Sequence, residues 1–106
     1  MSTATDLNGV QTFMVVGTIR KDADLTQFAA LRDDEHKQLD LLRQERKVGA
    51  HYVSQAGGAT FVEIFAVDER GAAQTLSSLA FARFFDIDIY PTVLPDAAER
   101  AHRARL

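Results

Sequence analysis

The stretch at residues 25–46, LTQFAALRDDEHKQLDLLRQER, sets the strongest constraint on the fold. At about 100° per residue, Phe28, Leu31, Leu39, Leu42 and the stem of Arg46 fall in one stripe roughly 80° wide, the pattern of one long amphipathic helix. Asp24 stands where an N-cap belongs. Gly49 is placed to end the helix, after Arg43, Arg46 and Lys47 have met its negative C-terminal end. Glu35 falls near the middle of the apolar stripe, where the period calls for another leucine. A carboxylate there is either shielded at a cost or turned toward a cavity that holds something polar.

Such a helix needs an apolar layer to lie on, and its flanks supply strands. Residues 11–20, QTFMVVGTIR, are rich in β-branched and aromatic side chains. Phe13, Val15 and Ile19 alternate with Met14 and Val16, so both faces are apolar and both should be covered. Gly17 marks a bulge or a close approach. Residues 50–55 form a second strand, with His51 and Val53 on one face and Tyr52 and Ser54 on the other. Gly57-Gly58 reads as a hairpin turn into residues 60–67, where Phe61, Glu63, Phe65 and Val67 oppose Val62, Ile64 and Ala66. Asp68 caps a second helix over 69–79, packed through Ala72, Leu76 and Leu79. An aromatic link leads to a fourth strand, 85–90, with Phe85, Ile87 and Ile89 against Asp86, Asp88 and Tyr90. Pro91 stops it.

The order βαββαβ predicts an α+β, ferredoxin-like domain over residues 11–94, an antiparallel sheet with two helices on one face. Residues 1–10 read as a flexible arm, and 95–106 as a tail with a short helix capped by Asp96. A bare sheet face this apolar would be sticky. The simplest cover is a second copy packed sheet to sheet, a homodimer.

Composition narrows the function classes. The 106 residues suit one domain, and a net charge of -3 with no basic stripe argues against nucleic acid as the main ligand. With no cysteine, disulfides, thiolate metal sites and cysteine nucleophiles are excluded. The start, MSTATDLNGVQ, has neither the basic nor the apolar region of a secretory signal, and the apolar runs are too short to span a bilayer. A cytoplasmic protein is the default expectation. The spacings of a P-loop, a dinucleotide fingerprint, a zinc site or a nucleophile elbow do not occur.

The runs HYVSQAGGATFVEIFAV at 51–67 and LSSLAFARFFDIDIYP at 76–91 resemble the muconolactone isomerase family and its dimeric α+β barrel relatives. The family combines a central glutamate in the first helix, a histidine opening strand two, a glycine in the next turn, and a leucine-aromatic link into an Asp-Ile-acid-Val strand. Here these match Glu35, His51, Gly57 and the run from Asp86 to Ile89. The chain departs from the family at Ala80 and Ala82, where a link proline is usual. It departs again at Gly49-Ala50, in place of a Trp-Pro entry. The resemblance implies a dimeric barrel, assembly into a larger ring, and a cofactor-free isomerase acting on a small acidic organic molecule.

On that reading Glu35 is the general base or acid, its pKa lifted by burial. The other reading pairs it structurally with Arg32 or a sheet residue. His51, with an ordinary pKa of about 6.5, would return the proton or polarise a carbonyl, the second task being shared with Tyr52. Arg32 would clamp a substrate carboxylate, or form an i,i+3 pair with Glu35. Glu63 would reach the same pocket or pair with a base such as Arg83 across the dimer. His36 reads as a rim residue. Asp86 and Asp88 read as charge guarding a sheet edge, with no converging metal ligands. No cofactor or metal is expected. The rival classes are a non-catalytic ligand-binding or assembly module, and a cofactor-independent monooxygenase.

Overall fold

The β-branched run at residues 11–19 becomes the spine of the sheet. In the computed structural model, which describes residues 9–96, strand β1 (Gln11–Ile19) pairs on both sides. The order continues with α1 (Leu25–Ala30), α2 (Arg32–Gln44), β2 (Val48–Val53), β3 (Ala59–Ala66), α3 (Glu69–Ser77), a 3₁₀ turn (Ala80–Phe84) and β4 (Phe85–Pro91). The fold is α+β, one antiparallel four-stranded sheet in the order β2-β3-β1-β4. The outer parts of the expected arm and tail, 1–8 and 97–106, lie outside the described residues.

Register decides the faces. Val15 stands between Val62 and Ile89, and Phe13 lies opposite Ile64. These side chains form the core with Leu39 and Leu42 of α2, Ala72 and Leu76 of α3, and Leu79, Phe81 and Phe84 from the link. Burying side chains of this size stabilises by about 1.5–3 kcal/mol each before entropy is counted. Gly17 is the place where Thr60 and Phe85 close in, since a Cβ there would sit 3.1 Å and 3.2 Å from them. The opposite face carries Met14, Val16, Phe61 and Phe65, all half-buried, with Tyr52 and Tyr90 exposed.

The long helix is two helices. Leu31 (φ -92, ψ -3) interrupts it, and α1 buries no residue fully. The break lets Phe28 pack edge-on against Phe84 and Phe85, at 5.4 Å and 5.6 Å between ring centroids, while α2 lies along the sheet. Asp24 caps α1 by accepting from the Gln27 N–H at 3.0 Å. Helix α2 ends earlier than the periodicity suggests. Arg46 adopts φ +60, with Lys47 N–H donating to Leu42 O and Arg46 N–H to Arg43 O, a Schellman closure made without glycine. Gly49 therefore lies in β2, and Arg46 is exposed beyond the helix rather than in its apolar stripe.

Candidate active site

Helices α1 and α2 meet the β2–β3 end of the sheet over a pocket of about 340 Å³. That is within the size range of small-ligand sites. Phe28, Leu31, Leu39, Phe81 and Phe85 make its walls apolar, and Glu35, His51, Thr60, Arg32 and His36 supply the polar groups. The helical stripe found in the sequence thus lines a cavity along one side and fills the core along the other.

Glu35 is only 7% exposed. Its Oε1 accepts from the Ala80 N–H and its Oε2 from the Phe81 N–H, both at 3.1 Å. These are N–H groups at the start of the 3₁₀ turn, which have no partner inside their own helix. One side chain therefore ties α2 to the link. Burial pushes the carboxyl above its ordinary value, and the two N–H donors and His36 pull it part of the way back. Loss of water is the dominant cause. Among the described residues Glu35 has no ion pair with Arg32.

His51 enters from the sheet. Its Nε2 lies 3.0 Å from Thr60 Oγ1, whose own proton goes to the Tyr52 carbonyl at 3.3 Å. With that proton committed, the hydroxyl oxygen accepts, so Nε2 carries the hydrogen and Nδ1 keeps the lone pair. Burial lowers the His51 pKa, and the nearby charges of His36 and Arg43 lower it further. The ring is therefore neutral near pH 7, a proton acceptor and not a cation.

Arg32 and His36 are exposed on α2 and stand at the pocket rim. Tyr52 and Glu63 do not join them. Tyr52 is 63% exposed and pairs with Phe61 on the opposite face of the sheet. Glu63 pairs with Met14 on that same face, and its Oε1 accepts from the Ala50 N–H at 3.1 Å. Strand alternation is the reason, since His51 and Val53 take the inward positions of β2. Neither lines the pocket. Arg83, suggested as a partner for Glu63, lies over the Phe84 ring at 5.1 Å.

Asp86 is exposed on edge strand β4 and pairs with Arg20 at 3.3 Å. Among the described residues no three His, Asp, Glu or Cys side chains gather as a metal site, and no helix is long and apolar enough to cross a membrane. Thr60 and the Ala80 and Phe81 amides were not singled out from the sequence. Thr60 was within reach, because the hairpin register Val53↔Thr60 makes it the diagonal neighbour of His51. The amides carry no side-chain signal.

No protein-family model matches the chain, and neither does any curated protein.

Proposed function

We propose that the pocket catalyses cofactor-free proton transfer next to a carbonyl, in the manner of a lactone isomerase, on a small organic acid. The observation that carries this reading is Glu35: a buried carboxylate on the wall of an apolar cavity, its proton affinity raised by loss of water. Glu35 removes a proton from the carbon beside the carbonyl and returns it two carbons along. A base with a lifted pKa suits that exchange because its proton is held neither too weakly nor too tightly. His51, tethered through Nε2, has Nδ1 for taking up a proton from the same ligand. Arg32 at the mouth holds the ligand's carboxylate as a charge-assisted clamp.

The strand order β2-β3-β1-β4, with helices on one face, supports the ferredoxin-like reading and with it the likeness to the muconolactone isomerase family. The apolar outer face, Met14, Val16, Phe61 and Phe65, supports a sheet-to-sheet homodimer as the working form.

One observation favours a second reading. Both oxygens of Glu35 already accept a backbone N–H. A carboxylate so placed also suits a binding module in which it only anchors the link. The two readings part on one experiment: deuterium uptake from D₂O, followed by NMR, into unsaturated lactones carrying a carboxylate. In the enzymatic reading the wild type exchanges the proton beside the carbonyl, and Glu35→Gln slows it by about 10²–10⁴-fold. Equal exchange in the two proteins removes Glu35 from the chemistry and leaves the binding module.

A further inference from the structure

Val48 and His51 are three residues apart in β2, yet both face the helices. Val48 is 1% exposed in the core, and His51 lines the pocket. In an unbroken strand, residues an odd number apart point to opposite faces. The register shows how both are accommodated. Val48 pairs with Ile64 and His51 with Val62, so Gly49 and Ala50 together stand opposite Glu63, a β-bulge.

The bulge is held from the far side of the sheet. The Glu63 carboxylate reaches over Gly49 to accept the Ala50 N–H at 3.1 Å. Only glycine permits that reach. A Cβ at Gly49 would run into the carboxylate itself and come within 2.7 Å of the Phe65 ring. Two regular pairings compete with this arrangement. One runs on from Val48, setting His51 opposite Phe61 on the open face and turning Tyr52 inward. The other runs back from the hairpin, keeping His51 in place but expelling Val48 from the core.

We propose that Glu63 is a positioning residue for His51: it holds the Gly49–Ala50 bulge, and the bulge sets the strand phase that puts His51 instead of Tyr52 in the pocket. The functional weight of this rests on His51 acting in the pocket as described above; the positional claim does not. The charged and titratable groups that share a cavity with His51 are Arg32, Glu35, His36, Asp40 and Arg43, all on α2, and of these His36 and Arg43 lower its pKa. Glu63 is on the other side of the sheet, so its charge and its hold on the bulge can be separated by substitution.

The test follows the His51 ring by NMR, through its titration and its through-space contact with the Thr60 methyl, in four proteins. In the wild type and in Glu63→Gln, which keeps an acceptor and loses the charge, His51 titrates below its ordinary value and touches Thr60. In Glu63→Ala the midpoint moves up toward the ordinary value and the contact is lost. In Glu63→Ala with Gly49 deleted, the strand is regular with Val48 and His51 both inward, and the wild-type behaviour returns. If Glu63→Ala does not fold, recovery of the fold on deleting Gly49 supports the same conclusion. A Glu63→Ala protein with His51 unmoved overturns the proposal, as does a defect that deleting Gly49 does not relieve. None of these readings involves turnover. Failure of Glu35 in the exchange assay therefore leaves this result standing, and failure here leaves the Glu35 result standing.

Discussion

Glu35 is gripped by two amide donors while it is cut off from water, and the two effects act on its proton in opposite senses. Glu35→Ala leaves the buried Phe81 N–H and the part-buried Ala80 N–H without acceptors and is expected to cost about 1–4 kcal/mol. Glu35→Gln keeps one acceptor and should cost about 1–2 kcal/mol, both read from urea midpoints. Titration has a sign for each group. The raised Glu35 pKa means that its stability contribution is full below about pH 4.5 and is lost as pH rises through the folded value. The lowered His51 pKa means that its contribution is full above about pH 6.5 and is lost as pH falls through the folded value. Stability measured against pH in His51→Gln should therefore lack part of the acid-side loss below pH 6.5; an unchanged acid limb would contradict the assignment. Thr60→Val should remove the acceptor that fixes the ring, and ¹⁵N shifts should change from the Nε2–H tautomer to a mixture. Glu35 was legible in the sequence because a helical period of 3.6 survives the break at Leu31. Tyr52 and Glu63 were assigned to the pocket although strand alternation alone does not say which sheet face the helices cover, and the structure puts both on the other face.

At the scale of elements, the sequence pattern located all four strands among the described residues, but it merged α1 and α2 into one helix and left the 3₁₀ turn as a plain link. The break at Leu31 has no glycine or proline to announce it. It goes with a contact of Phe28 on Phe84 and Phe85, which are more than fifty residues away and leave no local signal. The C-terminus of α2 was expected at Gly49, the residue best suited to a left-handed turn. Arg46 takes that conformation instead, and Gly49 is reserved for the crowded bulge under Glu63 and Phe65. A left-handed arginine is strained relative to glycine. Arg46→Gly should accordingly raise stability by about 0.5–1 kcal/mol in urea unfolding, with no change in the pocket. A loss of stability would show that the exposed arginine contributes more than its backbone costs.

The whole molecule places its pocket between the helix layer and one sheet face, and leaves on the other face an apolar strip beside Glu63, Asp86 and Asp88. The paired side chains Val16 and Phe61 lie in that strip, Met14 stands next to them opposite Glu63, and Phe65 follows beyond Glu63. Sedimentation is expected to find a dimer for the wild type and a monomer for Phe61→Lys, since a lysine in the apolar part of a sheet contact would have to give up its water. A wild type that sediments as a monomer would remove the sheet-to-sheet dimer and leave the pocket untouched. The pocket itself is tested most directly by ¹³C NMR titration of the Glu35 carboxyl, set beside the pH dependence of proton exchange into a lactone ligand. The expected midpoint lies above 4.5, and the exchange rate rises with pH through that same midpoint as the base loses its proton. A midpoint at or below 4.5, or a rate indifferent to it, would contradict a proton-transferring Glu35.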